Sequence, residues 1–456
     1  MTNDHNVDFP IIRVKATAVG QHPGRIQGET GHSRFPEGFV LLFERRSGQP
    51  LTLFNYFSRE VGVSGRTDYL KWKNTQKSLA DDGANFATFL YLRGSSIESA
   101  KFSDLEAYAH ALGVSISSVT GRRFSDSTRR RRIGTIVEFY EWAFERGWLD
   151  RVIPPRNGKL PSGLRFKAGA LKSDASVRAL MPNRPAADEK VRVIPRKVLP
   201  RLLRRLGPSI DKRTAYGPLA RDRLVAESSL GTSARLVSLA SLETVDVLNA
   251  ERLIDPTDPH QLLTVPVRPK GNAPSRIIVP QAILIKWLIY YRTERAEVCR
   301  KVLECDGGCG RVSSKLFLNH ATANGRDLGR AASEDTLSRA FTAAVLAEGM
   351  IRKEMVAAIN EFGDLQFDTR GEIVLKEVVV PANTFHHLRH TYVVLTYHAM
   401  KRAGRVNPWK AISNALGHKL MATTIDIYGS HVEIDESGLS EAVDSFLSNL
   451  DEDGDD

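Results

Sequence analysis

Cysteine is scarce: Cys299, Cys305 and Cys309 are the only three in 456 residues. They are too few and too clustered for a disulfide framework, so a small cross-linked secreted scaffold is excluded. Cys305-Asp-Gly-Gly-Cys309, followed by His320, invites a zinc reading. That gap is wider than the usual C-x2-C knuckle and no fourth ligand is in sight, so the expectation is reduced thiols in a loop, with no metal. Long apolar runs are missing as well. None approaches the ~20 residues that span a bilayer, and the amino terminus, MTNDHNVDFP, lacks the basic-then-apolar order of a secretion signal. A cytoplasmic protein with no membrane partner is expected. There is no internal repeat, which argues against a repeat architecture.

Basic charge, in contrast, is plentiful. The chain carries 64 Lys and Arg against 53 Asp and Glu, a net +11 with a pI near 9.5. From His431 onward there are ten acidic residues and no Lys or Arg, so the remaining body stands at +21. Such a body attracts polyanions, and counterion release would make its binding to nucleic acid salt-sensitive. Charge alone does not separate DNA from RNA or from an acidic protein.

The length suggests two or three domains, and a hydrophobic content of 42% is enough to build their cores. Residues 1–65 carry scattered Gly and Pro with short apolar pieces such as Phe39-Val-Leu-Leu-Phe43, and read as an accessory segment of unknown fold. Residues 66–153 are helical in pattern. Ser103 and Glu106 have capping-box spacing. A further helix follows Ser125-Asp-Ser-Thr128, with Ile133, Ile136, Val137, Tyr140 and Phe144 on one face. Its first turns hold Arg129, Arg130, Arg131 and Arg132, just after Arg122 and Arg123. Six arginines within eleven positions could be an ordinary solvated face, but on so basic a body they point to phosphate contact. Residues 154–190, rich in Pro and Gly, read as a linker. The unit from 191 to 456 is mostly helical, with a β-hairpin of Leu262-Leu-Thr-Val-Pro-Val267 and Arg276-Ile-Ile-Val279 around a Lys270-Gly-Asn-Ala-Pro274 turn. Pro266 places the first strand at a sheet edge.

Five pieces of this second unit hold side chains suited to a phosphodiester. Arg235 opens a helix after a Gly-marked turn; its guanidinium can fork onto two phosphate oxygens, although alone it reads as a surface ion pair. Lys270 sits at the hairpin tip, where a lysine is usually just solvated but could also give up a proton. In Thr384-Phe-His386-His-Leu-Arg389-His-Thr391, His386 and Arg389 stand three apart on one helical face, offering an imidazole and a guanidinium to one anion. His390, four beyond His386, suits a structural hydrogen bond. A zinc reading of these histidines lacks a carboxylate or thiolate to complete the ligand set. Asn407-Pro408 starts a helix that Gly417 ends, leaving His418 just past the stop. Thr423 is placed to cap a last helix, which carries Tyr428. Each piece alone loses to a bland reading as cap, core or surface.

Together, their order resembles the tyrosine recombinase, or phage integrase, family: Arg235, Lys270 in a hairpin, His386 with Arg389, Leu416-Gly417-His418, and Tyr428. The His-x-Leu-Arg-His-Thr and Leu-Gly-His…Thr-Thr-x-x-x-Tyr blocks are highly specific, and the resemblance covers about 190–440, with 66–153 similar more loosely to the family's helical core-binding domain. It implies a mainly α fold with a small β-hairpin or sheet (α+β), in which a helical core-binding domain precedes a catalytic domain. It further implies a site-specific recombinase that breaks and rejoins double-stranded DNA at a specific target site, as in integration or transposition of a mobile element. Tyr428 would attack the scissile phosphate to give a 3′-phosphotyrosyl link. Arg235 and Arg389 would clamp the non-bridging oxygens, Lys270 would protonate the leaving 5′ oxygen, His386 would assist proton transfer at the tyrosine, and His418 would hydrogen-bond the phosphate. No cofactor, metal or ATP is implied. The resemblance also suggests a homo-tetramer on DNA, accessory recombination proteins and residence on the nucleoid when bound. A terminal stripe of Ala442, Val443, Phe446, Leu447 and Leu450 would dock on a neighbouring subunit or on its own domain. Ser238 stands where the family usually has an acidic residue, three positions after the first arginine. Two alternatives share these residues or this fold: a type IB topoisomerase that relaxes supercoils, and a catalytically weak DNA-binding protein of architectural or regulatory role.

Overall fold

The structure is a computed structural model that describes residues 10–17, 35–63, 69–153, 175–182, 191–267, 275–305, 311–320, 327–361, 364–417 and 420–436. Lys270, Cys309, His418 and the stripe from Ala442 to Leu450 lie outside the described residues. The chain divides into two compact units, Met1–Pro185 with Met355–Val378, and Ala186–Glu354 with Val379–Asp456. Helices dominate both, and the described strands form three two-stranded sheets.

The first unit contains β1 (Ile11–Lys15), β2 (Val40–Glu44), α1 (Thr52–Val63), α2 (Tyr69–Leu92), α3 (Phe102–Val114), α4 (Asp126–Glu145) and α5 (Ala175–Leu180). β1 and β2 pair antiparallel from Ile11 with Glu44 to Lys15 with Val40. A two-stranded sheet leaves backbone groups open along each outer edge, and open edges buried against helices are costly. Two buried amide side chains close the outer edge of β2. Asn55 of α1 accepts from the Leu42 amide at 2.8 Å and donates to its carbonyl at 3.0 Å. Gln76 of α2 does the same for Val40, at 3.0 and 2.8 Å. Ile11, Val40, Leu42, Phe54 and Phe57 thus share one apolar core with Phe86, Tyr108, Phe139, Tyr140 and Trp142.

The apolar face expected on α4 is observed: Ile133, Ile136, Val137 and Tyr140 are fully buried, Phe144 partly, and Ser125 caps the helix by accepting from the Thr128 amide at 3.3 Å. The start of α3 differs from expectation. Neither Ser103 nor Glu106 caps it; the helix begins at Phe102, and the Asp104 carboxylate accepts from the Lys101 amide at 2.9 Å. An acid one turn inside the helix also suits the positive end of its dipole. α5 falls within the stretch expected to be a linker, and its Val177 is buried in the core of this unit.

The second unit contains α6 (Leu199–Leu206), a 3-10 turn at Ile210–Lys212, α7 (Arg221–Thr232), α8 (Leu236–Ala240) and α9 (Thr244–Glu251). The hairpin strands β3 (Leu262–Val267) and β4 (Ser275–Pro280) come next, then α10 (Gln281–Arg292), α11 (Glu294–Cys305) and α12 (Glu334–Ala347). β5 (Ile351–Ala357) pairs with β6 (Leu375–Pro381), residues 355–357 and 375–378 of these strands counting with the first unit, and α13 (His386–Arg402), α14 (Pro408–Leu416) and α15 (Met421–Glu436) finish the described chain. The expected hairpin is present, with Pro266 opposite Arg276. Its inward residues Val265 and Val279 join Leu224, Trp287, Phe317, Phe341 and Leu388 in the main core. The Trp287 indole donates to Ser228 Oγ at 2.7 Å, tying α10 to α7. α15 starts three residues earlier than the Thr423 cap predicts, and the Thr423 amide bonds the Leu420 carbonyl at 3.2 Å as part of the first turn.

The start of α7 is held by an ionic cluster. Glu294 is fully buried and accepts from the Ala220 and Arg221 amides at 2.6 and 3.3 Å, from Arg213 at 3.1 Å and from the His320 ring at 2.9 Å. His320, the histidine of the zinc alternative, is therefore bonded to a carboxylate that caps a helix.

Two helix glycines test the packing of the first unit with opposite signs. Gly to Ala in a helix interior normally stabilises by about 0.5–1 kcal/mol. At Gly134 of α4 a Cβ would meet only Met181 Cε, at 3.9 Å, so Gly134→Ala should stabilise by about that amount. At Gly83 of α2 the Cβ would lie 2.2 Å from the ring of Phe54, which is fully buried, so Gly83→Ala should destabilise by about 1–3 kcal/mol. Urea unfolding of the two variants checks both signs; stabilisation by Gly83→Ala would contradict the packing described.

Candidate active site

The local backbone places the first arginine. α7 ends at Ser233, a non-glycine residue in the left-handed region (φ 57°, ψ 9°), and the chain turns sharply there. Two residues later Arg235 is the residue just before α8, its side chain exposed. Ser238, at the position where an acid was looked for, is buried. The first residue of α13 is His386, so its imidazole stands at the positive end of a 17-residue helix, and no side chain caps that end. One turn on, Arg389 is buried. Arg235, His386 and Arg389 line a common cleft of about 220 Å³ with Ser229, Ser338 and Thr384.

Arg389 is anchored from behind. Its Nη1 donates to the Ser233 carbonyl at 2.7 Å and its Nη2 to the Leu416 carbonyl at 2.8 Å. Both acceptors belong to helix ends: Ser233 closes α7, and Leu416 is the last residue of α14. Carbonyls there lack intrahelical partners and carry the negative end of the dipole, so they suit a buried guanidinium. Gly417, in the left-handed region at φ 68°, ends α14 so that the Leu416 carbonyl points free of the helix. Burial, and next the charge of Arg235, press the Arg389 pKa down to about 10, which leaves it charged at neutral pH.

Tyr428 lies on α15, buried among Val393, Val394, Tyr397, Ile412, Leu416 and Val432. His390 Nδ1 lies 3.0 Å from the Tyr428 hydroxyl. Burial pushes the phenol pKa up, while Arg389 and, less strongly, Arg235 pull it down. Arg389 is thus shared, lining the cleft and lowering the phenol pKa. The His386 ring opens to solvent, yet partial burial, then Arg389, then Arg235 lower its pKa, which favours the neutral imidazole. His387 is turned elsewhere: its Nδ1 accepts from the Thr384 amide at 3.1 Å and lies 3.2 Å from Asn383 Nδ2. Burial first, then Arg192, lowers its pKa to about 4.

Four expected residues, Arg235, His386, Arg389 and Tyr428, are therefore connected in one constellation, while Lys270 and His418 lie outside the described residues. His390 was expected to make a structural hydrogen bond, and its partner is the Tyr428 hydroxyl. The sequence signal for that role was its position one helical turn beyond His386. Among the described residues no group of three or more His, Cys, Asp or Glu side chains is arranged to hold a metal ion.

The arginine run of the first unit divides. Arg131 bonds Asp82 and, at 2.6 Å, Ser78 Oγ; Arg132 donates to Asn85 at 3.0 Å and stacks over Phe124 at 4.2 Å. Asp82 is fully buried, and desolvation raises its pKa despite Arg131. Arg130 donates to the Pro182 carbonyl, and Arg129 pairs with Asp126 at 3.0 Å. Arg122 and Arg123 are exposed.

No family model and no curated protein matches the chain. Among solved structures it is similar to the XerH site-specific recombinase bound to a palindromic difH substrate in a post-cleavage complex, with 16% identity over 86% of this chain and 93% of that one and a TM-score of 0.46. It is also similar to a lambda integrase dimer bound to a COC′ core site (14% identity, 83% and 77% covered, TM-score 0.43). A third is the Tn1549 transposon integrase, residues 82–397, in complex with circular intermediate DNA (17% identity, 83% and 94% covered, TM-score 0.41). These are outline likenesses; the chemistry of this chain is decided by its own side chains.

The two arginines separate structural from chemical roles. Arg389→Ala leaves the carbonyls of two helix ends without their donor and should destabilise the protein by about 1–3 kcal/mol. Exposed Arg235→Ala should change stability by no more than about 0.5 kcal/mol. Denaturant midpoints measured side by side decide this, and equal shifts for both variants would remove the anchoring role of Arg389.

Proposed function

We propose that this chain is a site-specific DNA recombinase that cuts and rejoins strands through Tyr428. The observation that carries the reading is the shared position of Arg389, which lines a cleft with Arg235 and His386 and whose charge also lowers the Tyr428 phenol pKa. A phosphodiester in that cleft would meet two permanent cations whose forks match its non-bridging oxygens, at the open end of α13. The nucleophile would be one guanidinium away.

The reaction follows from that placement. The Tyr428 oxygen forms a bond to phosphorus as the bond to the 5′ oxygen breaks, and Arg235 and Arg389 hold the charge that accumulates on the equatorial oxygens. The departing 5′ oxygen takes a proton from Lys270, and His418 hydrogen-bonds the phosphate. The ester stores the bond energy, so a 5′-hydroxyl of another strand reverses the chemistry without ATP. Exchange between two duplexes breaks four strands and needs four tyrosines, which favours a homo-tetramer on its target DNA, assisted by accessory proteins. In the first unit, exposed Arg122 and Arg123 suit phosphate contact best; Arg129, Arg130, Arg131 and Arg132 would add to it with whatever donors their internal partners leave open.

Loss of only the phenol hydroxyl tests the nucleophile. Tyr428→Phe should bind a pool of nicked duplexes as the unaltered protein does, yet form no covalent protein–DNA adduct on a denaturing gel. An adduct at normal yield from the variant would sink the assignment.

A further inference from the structure

We infer that His390, and not the cleft-facing His386, accepts the Tyr428 proton when the phenol attacks; this rests on the recombinase reading above. His390 Nδ1 lies 3.0 Å from the Tyr428 hydroxyl, and the positive charge of Arg389 pulls the phenol pKa down. With the imidazole in the tautomer protonated on Nε2, its Nδ1 lone pair faces the nucleophile and takes the phenol's hydrogen. The arrangement is one proton transfer short of a phenolate: as the proton moves to His390 Nδ1, Arg389 stabilises the charge left on oxygen.

His386 is placed for something else. It lines the cleft beside Arg235 and Arg389, and Tyr428 is not among the residues lining it. Its ring meets that of His390 edge to face, with centroids 4.7 Å apart. The groups around the His390 ring include His386 and His387 on its own helix and Tyr428 from α15. His386 therefore contacts the phosphate and His390 the nucleophile. The balance closes without a further reactant. The phenol proton goes to His390, the phenol oxygen bonds phosphorus, the 5′ oxygen leaves with the Lys270 proton, and each proton returns when a 5′-hydroxyl reverses the step.

The test uses the full chain and a nicked duplex carrying the sequence recovered from the unaltered protein's adduct. His390→Asn keeps a hydrogen-bonding group near the phenol but accepts no proton. It should bind DNA normally and cleave about 10²-fold or more slowly. Replacing Tyr428 by ring-fluorinated tyrosine, a more acidic phenol, should restore much of that rate, because less help is then needed to ionise it. His386→Asn should not recover in this way. Normal cleavage by His390→Asn, or fluorotyrosine rescue of His386→Asn alone, would overturn the inference. Should His390→Asn fail to fold, fluorotyrosine in the His386→Asn background still decides, because His390 is then the histidine left at the phenol. The acidic limb of the cleavage rate stays in place if a histidine takes the proton and follows the phenol if none does. Absence of any adduct with unaltered protein would instead remove the recombinase reading itself.

Discussion

One buried guanidinium organises the second unit. Arg389 is bonded to the carbonyls that close α7 and α14, and its charge acts on the phenol of α15, so four helices, counting its own α13, meet at one charge. A buried cation needs compensation, and helix C-termini are among the few uncharged places in a protein that supply it. Uncharged acceptors matter here. A carboxylate partner would neutralise the guanidinium, whereas backbone carbonyls hold it in place and leave its charge for an anion in the cleft.

The features around Arg389 follow from that constraint. Ser233 adopts a strained left-handed conformation, which ends α7 and turns its carbonyl to the guanidinium. Gly417 does the same for α14 without strain, since it has no side chain to clash. The turn after Ser233 sets Arg235 into the cleft, and the apolar contacts of Val393, Ile412 and Leu416 seat the Tyr428 ring so that its hydroxyl reaches His390. The site is thus assembled by helix ends and one apolar seam, a rigid frame of the kind that positional catalysis needs.

Much of this was legible in the sequence, for physical reasons. The helix carrying His386 and Arg389, the helix from Pro408 to its Gly417 stop and the hairpin strands each have strong local signals: periodicity, Pro at a first turn, Gly at a last. Tertiary partners were less legible. Asn55 and Gln76 lie 13 and 36 residues from the strand residues they satisfy, so the attachment of β2 to α1 and α2 has no local signature. The arginines at 129–132 look like one basic patch in sequence, but a buried Asp82 some 50 positions earlier turns two of them inward. His390 could be placed on the right helix, yet its contact with a phenol 38 residues away emerged only from the packing of α15.

The most direct measurement is chemical identification of the DNA-linked residue. The unaltered protein, trapped on nicked DNA and digested, should yield a nucleotide-bearing peptide from α15, with the added mass on Tyr428. A nucleotide on Tyr392 or Tyr397 of α13, or on any residue outside α15, would contradict the account.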